Sequence, residues 1–260
     1  MAIILLALGL AGGFFSGWLG IGGGIIMAPL LLYVPSWLGA GALDMKTVAG
    51  LTMVQSLFAT GSGVIVHHRF RFVSKPLVAW MGGCIAVTSF AGALLSRNVS
   101  ADLLLGIFAA LAAIAAASMF IPLKEGPRDA AADEIDFNRG LAAGFALALG
   151  FTGGLVGQSG AFIIIPFLLY VLRLPLRVAL GSSLGIVLLA AMTGTAGKIM
   201  AGQVDYSMAL FCVAGALAGA QAGGYLSRRT AKGMLRLVLA LLILASALRM
   251  VADLVMHTGD

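Results

Sequence analysis

The polar and charged positions of the chain separate eight long apolar segments. A helix that crosses a membrane needs about 20 predominantly apolar residues, and each segment reaches that length. The segments are continuously apolar and do not alternate every second residue, which favours membrane helices over membrane strands. The predicted segments cover residues 1–43, 47–66, 76–96, 103–123, 140–172, 178–200, 206–227 and 233–256.

Composition supports a membrane protein and excludes several other classes. The chain has 260 residues, of which 61% are hydrophobic and only 10% are charged. A soluble domain would carry about 25% charged residues, so a soluble enzyme, a nucleic-acid binder and a disordered protein are all excluded. The two cysteines, Cys84 and Cys212, lie inside apolar segments, so neither a disulfide framework nor a metal site is expected. The expected surroundings are a lipid bilayer, and no cofactor is predicted.

One polar stretch, residues 124–139, divides the chain into an N-terminal part (1–123) and a C-terminal part (140–260). The two parts repeat each other. The glycine-rich segment 17–24 recurs at 154–161, and a proline and a tyrosine follow each copy at matching positions. Two shorter matches keep the same order, namely Val48-Ala49 with Val178-Ala179 and Leu95-Ser96-Arg97 with Leu226-Ser227-Arg228. The sequence therefore predicts two repeats joined by a polar linker.

The distribution of loop cations indicates how the repeats are oriented. If the long first segment of each repeat crosses the membrane once, the thirteen Lys and Arg residues in loops divide six against seven. If each first segment returns to its starting side, they divide eleven against two, as the positive-inside rule requires. We therefore predict an all-α polytopic membrane protein of two inverted repeats. Each repeat has an interrupted or re-entrant glycine-rich first segment followed by three transmembrane helices, with the linker cytoplasmic and both termini outside.

The glycine clusters predict helix breaks. Glycine costs about 1 kcal/mol relative to alanine in a helix interior, and Pro29 and Pro166 are expected to act as structural breaks as well. Broken helices at corresponding positions of two repeats indicate a transport site, and their exposed N–H groups favour an anion. The alternative, close helix packing through small residues, is expected for Gly215, Gly219 and Gly223. The predicted substrate contacts at the breaks are Gly20, Gly22, Gly23, Gly24, Gly157, Gln158, Ser159 and Gly160.

Polar side chains inside the apolar segments add candidates. Thr52 and Gln55 follow the first break, and Ser182 and Ser183 follow the second. A hydroxyl or an amide can donate a hydrogen bond to an oxyanion, although hydrogen bonds between helices explain these residues equally well. Lys198 has a possible charge role, but we expect its side chain to reach toward the membrane surface.

The motif G-x-x-G-I-G-G-G at 17–24, followed by Pro29, resembles the TauE/SafE family of membrane permeases over essentially the whole chain. The resemblance implies a bacterial inner-membrane permease that moves sulfite, an organosulfonate or a related sulfur-containing anion. The second copy of the motif departs from the first, with Gln158, Ser159 and Ala161 replacing Ile21, Gly22 and Gly24. We expect a secondary transporter that works by alternating access and is driven by the substrate gradient or a coupling ion, either a proton or sodium.

Two other functions remain open at this point. The segment Gly157-Gln158-Ser159-Gly160 fits the pattern that surrounds the nucleophile of intramembrane serine hydrolases. Such a serine needs a base within hydrogen-bond reach, whereas the three histidines of the chain lie at segment ends or in the C-terminal tail. A non-transporting membrane subunit also fits the composition but leaves the paired breaks unexplained.

Overall fold

The computed structural model of the chain describes residues 1–69, 73–119, 137–158 and 160–257. These residues form ten α-helices and no strand. The helices are α1 (Ala2–Leu19), α2 (Gly24–Trp37), α3 (Met45–Arg69), α4 (Lys75–Leu95), α5 (Ala101–Met119), α6 (Arg139–Val156), α7 (Ala161–Pro166), α8 (Leu176–Met200), α9 (Tyr206–Arg229) and α10 (Lys232–His257). One 3₁₀ turn (Ser96–Asn98) extends α4, and a π-helical turn (Phe167–Val171) extends α7.

Seven of the helices in the described ranges are long and apolar enough to cross a membrane, namely α1, α3, α4, α5, α6, α8 and α9. Shorter apolar helical stretches occupy Gly24–Trp37, Phe162–Val171 and Gly233–Ser246. The predicted all-α membrane architecture is therefore confirmed. Helix α6 begins at Arg139, the last residue of the predicted linker, because the Asn138 side chain accepts the Leu141 N–H and caps the helix. Most of that linker lies outside the described residues.

The first segment of the N-terminal half reverses direction at its break. A Cβ at Gly12 of α1 would lie 3.4 Å from Nε2 of Gln55, and a Cβ at Gly63 would lie 3.7 Å from Cα of Gly17. Residue numbers thus increase in the same direction along α1 and α3, so these helices run parallel. Helix α2, which connects them, must carry the chain back to the side from which α1 started.

The second half follows the same course. Gly150 and Gly154 of α6 lie against Ile85 and Ser89 of α4, so α6 and α4 run parallel. Several contacts make α4 parallel to α8 in turn, including those of Val78 with Gly185 and of Ala93 with Gly197. Helices α6 and α8 are therefore parallel, and the segment between them returns to its starting side, as the cation count predicts for both halves.

Glycines allow close packing between α1 and α9. Gly9, Gly13 and Gly17 of α1 lie against the carbonyl groups of Cys212, Ala216 and Ala220 of α9, and any Cβ there would collide with that backbone. In return, Gly215, Gly219 and Gly223 of α9 lie against Leu6, Leu10 and Phe14 of α1. The expectation that these three glycines serve close packing is confirmed.

The central helices α3 and α8 contact each other and occupy equivalent places in the two halves. They run antiparallel, because Thr195 bonds the carbonyl of Met53 while Leu184 lies against Gly63. An antiparallel pair of equivalent helices is what an inverted repeat requires, so this observation supports the inversion, which stays a prediction.

Two equivalent hydrogen bonds define opposite ends of the helix bundle. Lys46 Nζ donates to the carbonyl of Arg97 at 3.1 Å, and Arg177 donates from its guanidinium to the carbonyl of Arg228 at 3.2 Å. The interval in sequence from Lys46 to Arg177 is the same as the interval from Arg97 to Arg228. We call these ends the Lys46 face and the Arg177 face.

Candidate functional site at the paired helix breaks

The first break separates α1 from α2 and consists almost entirely of glycine. Gly20, Gly22 and Gly23 have φ angles of 71°, 67° and 75°, in the left-handed region that side chains with a Cβ disfavour. Gly20 ends α1 by donating its N–H to the carbonyl of Ser16 at 2.9 Å. Helix α2 then starts at Gly24, with Gly23 as its N-cap residue.

The second break lies between α6 and α7 and repeats this geometry. Gly157 and Gly160 have φ angles of 71° and 69°, while Ser159 lies outside the described residues. The two prolines have a different role from the one predicted. Pro29 lies inside α2, which continues to Trp37, and Pro166 lies where the α-helical segment becomes π-helical. Left-handed glycines make the breaks, and the prediction that Pro29 interrupts a helix is wrong.

Each break is bonded to the opposite half of the chain. Ser183 Oγ donates to the carbonyl of Gly20 at 2.6 Å or to that of Leu180 at 2.8 Å. Thr52 Oγ1 lies 2.9 Å from the carbonyl oxygen of Gly157 and equally close to that of Val48. A hydroxyl has one hydrogen to donate, and here it is directed at carbonyl oxygens. Thr52 and Ser183 therefore position the breaks in this arrangement and do not offer a donor to an anion.

The structure also corrects the correspondence between the two halves. The equivalent of Thr52 is Ser183, since each hydroxyl bonds the break of the opposite half. The offset between Val48-Ala49 and Val178-Ala179 would pair Thr52 with Ser182 instead. Ser182 accepts the Ser74 N–H at 2.9 Å and so fixes the chain just before α4. The Ser182 hydroxyl therefore contacts the chain before α4 and not a helix break.

Gln158 joins the two breaks directly. Its side chain is 1% exposed, and its Nε2 donates to the carbonyl of Gly24 at 2.9 Å. A Cβ at Gly24 would collide with the Gln158 amide, so the glycine provides the room that this bond requires. Gln158, which replaces the Ile21 of the first copy, is thus the residue that bridges the halves.

Gln55 is the unusual polar group at the first break. Its side chain is completely buried on α3, and among the described residues neither its Nε2 nor its Oε1 has a hydrogen-bond partner. The Nε2 atom would lie 3.1 Å from a Cβ at Gly23, so the amide is beside the N-terminus of α2. A buried unpaired amide costs about 1–3 kcal/mol, so Gln55 is a polar side chain beside the breaks whose hydrogen-bonding groups could bond a ligand.

Lys198 does not reach the membrane surface, and that prediction is wrong. Its side chain is fully buried near the end of α8. The ammonium donates to Ser96 Oγ at 2.8 Å, to Gln203 Oε1 at 2.8 Å and to the Leu155 carbonyl at 3.0 Å. Three neutral acceptors match the three N–H donors, so burial is possible without a carboxylate.

Sequence reasoning missed Ser96 and Gln203 as partners of this lysine. Ser96 belongs to the repeated Leu95-Ser96-Arg97 triplet, which was the available signal. Gln203 lies in the loop between α8 and α9, shortly after Lys198, where nothing in the local sequence marks it as a partner. In the described part of the chain, no group of three or more His, Cys, Asp or Glu residues could hold a metal ion.

Comparison with known proteins agrees with this architecture. The family model described as Sulfite exporter TauE/SafE matches residues 5–250. The chain is 26% identical to "Probable membrane transporter protein YunE" of Bacillus subtilis, covering 92% of this chain and 95% of that protein. It is 28% identical to "Probable membrane transporter protein YdhB" of the same organism, covering 86% and 89%, respectively. A "Probable membrane transporter protein" of Xylella fastidiosa is 26% identical, covering 91% and 89%.

No solved structure matches the chain. The relatives carry the description "Probable membrane transporter protein", which argues for transport and against the serine hydrolase alternative. Together with the seven apolar helices, the family match over residues 5–250 shows that this multi-pass membrane protein belongs to the sulfite exporter TauE/SafE family.

Proposed function

We propose that the chain is a secondary transporter that moves a small sulfur-containing anion, such as sulfite or an organosulfonate, across the bacterial inner membrane. Alternating access of two inverted halves about the paired breaks would carry the anion. The termini would lie in the periplasm, and a proton or sodium gradient or the anion's own gradient would drive transport.

The buried amide of Gln55 is the observation that carries this proposal. It lies beside Gly23, where the first N–H groups of the 14-residue helix α2 have no partner within the helix. The N-terminal end of a helix attracts anions, and an amide NH₂ adds two donors without the desolvation cost of a buried charge. None of the residues at the two breaks is a carboxylate. These features suit a small oxyanion better than a cation.

The composition of the first break supports the same site. The glycines at positions 12 and 23 bring the backbone close to the amide of Gln55, since a Cβ at Gly23 would lie 3.1 Å from its Nε2 and 2.6 Å from the carbonyl oxygen of Gly12. Gln158 holds the start of α2 from the other half of the molecule. The anion would therefore bind where both halves meet, as alternating access requires.

Flux into proteoliposomes tests this proposal. Wild-type protein should show saturable flux of sulfite or an organosulfonate, compared with sulfate and thiosulfate, with and without a pH gradient. Gln55→Ala should lower flux by at least about tenfold, because a hydrogen bond to a charged group contributes about 1.5–3 kcal/mol and each 1.4 kcal/mol is a factor of about ten. Gln221→Ala is the matched control, since Gln221 is exposed on α9 and far in sequence from the breaks.

Each outcome has a separate meaning. Wild-type protein without saturable anion flux under any gradient would contradict transport of these anions. Wild-type flux that Gln55→Ala leaves unchanged would contradict the site but not the function.

A further inference from the structure

A cavity of about 620 Å³ opens at the Lys46 face. Its lining comes from the start of α3 and the chain before it, the 3₁₀ turn after α4 and the loop between α8 and α9, including Asp44, Lys46, Arg97, Gln203 and Asp205. Volumes of this size hold small ligands in other proteins. The cavity is polar, and it lies away from the paired breaks in sequence.

The two carboxylates that line the cavity are offset by neighbouring helix N-termini, whereas its two cations are not offset by an opposite charge among the described residues. Asp44 accepts the Thr47 N–H at 3.2 Å and Asp205 accepts the Met208 N–H at 2.9 Å, so each carboxylate faces the N-terminus of a helix. Helix N-termini carry partial positive charge, which offsets these carboxylates. The ammonium of Lys46 donates to a neutral carbonyl, and Arg97 is exposed. An anion in the cavity would therefore meet two cations, Lys46 and Arg97. Neither forms a salt bridge with a carboxylate in the part of the chain that the structure describes.

Gln203 connects the cavity to the buried lysine. It lines the cavity, and its Oε1 accepts a hydrogen bond from Lys198 Nζ. Lys198 donates in turn to the carbonyl of Leu155, which closely precedes the left-handed Gly157 that begins the second break. Contacts thus run without interruption from the cavity to the second break.

The acceptors of Lys198 explain what this connection could do. All three are neutral, so the buried ammonium has hydrogen bonds but no opposite charge in the described residues. As a rule, buried charges in proteins are paired with an opposite charge, because an uncompensated buried charge is strongly destabilising. A small anion that reached Lys198 would supply that charge. It would replace one neutral acceptor and release either Gln203 or the end of α6.

We propose that this cavity is an anion-binding vestibule of the transporter and that Lys198 binds the anion at its inner end. This inference rests on the proposed function and adds a second binding position for the same class of small oxyanion. Arg97 and Lys46 attract the anion at the mouth. Lys198 then exchanges its bond to Leu155 or Gln203 for a bond to the anion, which couples occupancy of the vestibule to the end of α6.

The test uses sulfite flux in proteoliposomes with Lys198→Met, which keeps the length of the side chain and removes the charge. We expect the KM for sulfite to rise about tenfold. Lys198→Arg should recover part of the affinity, because the charge is restored. Lys75→Met is the control, since Lys75 is exposed at the start of α4 and does not line the cavity.

A second variant covers the case in which Lys198→Met fails to fold, as judged by gel filtration in detergent. Arg97→Gln changes an exposed side chain and should raise the KM for sulfite with little effect on folding. Wild-type flux together with an unchanged KM in Arg97→Gln, or in folded Lys198→Met, would overturn the vestibule. Absence of wild-type flux would instead overturn the proposed function on which it rests.

Discussion

Gly157 and Gly39 have nearly the same left-handed backbone conformation, with φ angles of 71° and 68°, in very different surroundings. A Cβ at Gly157 would collide with the backbone of Ala49, whereas a Cβ at Gly39 would meet nothing within 4 Å. The two residues therefore separate conformational strain from crowding. At the second break, Gly157 must be glycine for both reasons, its left-handed backbone conformation and the crowding around its Cα.

This pair gives a prediction for stability. Gly39→Ala should lower the free energy of unfolding by about 1–2 kcal/mol, the cost of a left-handed alanine. Gly157→Ala should lower it considerably more, because Ala49 must also move. Thermal unfolding of both variants in detergent measures the difference in apparent Tm. Equal losses of Tm would show that the contact between the second break and α3 is looser than the structure indicates.

The breaks could be predicted from the sequence, but the surroundings of the buried polar groups could not. A cluster of glycines is unfavourable inside a continuous helix, so its presence in an apolar segment indicates a break. The burial of Lys198 depends on Ser96, which is distant in sequence, and a lysine this close to a helix end could reach the surface at little cost. The unpaired state of Gln55 depends on the packing of three segments, which no local pattern reveals.

Packing between helices also requires glycine, because only a residue without a Cβ lets two helix backbones come into contact. In the pair α1–α9, glycine spacing of four residues on both helices brings the backbones into contact. Gly106 of α5, in contrast, has nothing within 4 Å of the position of its absent Cβ. The same residue type is therefore required in one helix and replaceable in another.

Alanine substitution tests this contrast between helices. Gly219→Ala should destabilise the protein, since the new Cβ would collide with the backbone of Leu10. Gly106→Ala should stabilise it by up to about 1 kcal/mol through helix propensity alone. The apparent Tm in detergent is the measurement for both. A rise in Tm for Gly219→Ala would mean that α1 and α9 are farther apart than the structure shows.

At the element scale, the repeat was visible in the sequence but its register was not fully determined. The triplet Leu95-Ser96-Arg97 and its copy have the correct spacing, whereas Val48-Ala49 and Val178-Ala179 are closer together by one position. Small apolar residues are so frequent in membrane helices that a two-letter match carries little information. The hydrogen bonds of Thr52 and Ser183 to the opposite breaks supply the register.

For the whole molecule, the proposed inversion places the Lys46 face in the periplasm and the Arg177 face in the cytoplasm. Asn98 and Arg229 are exposed at these opposite ends. Their positions follow from the eleven-to-two division of loop cations together with the reversal at each break.

Cysteine accessibility in intact cells checks this orientation. In a background with Cys84→Ala and Cys212→Ala, a membrane-impermeant thiol reagent should label Asn98→Cys directly. Arg229→Cys should be labelled only after the membrane is permeabilised. The opposite pattern would reverse the proposed orientation, and labelling of both in intact cells would contradict the opposite placement of the two faces.

The hydrogen bonds that cross between halves have a consequence for the origin of the fold. The break in each half is completed by a hydroxyl from the other, Ser183 for Gly20 and Thr52 for Gly157. A protein of one half alone would have a carbonyl group at its break and no hydroxyl from a second half to bond it. An ancestor encoded by a half-length gene would thus have needed a second copy of itself.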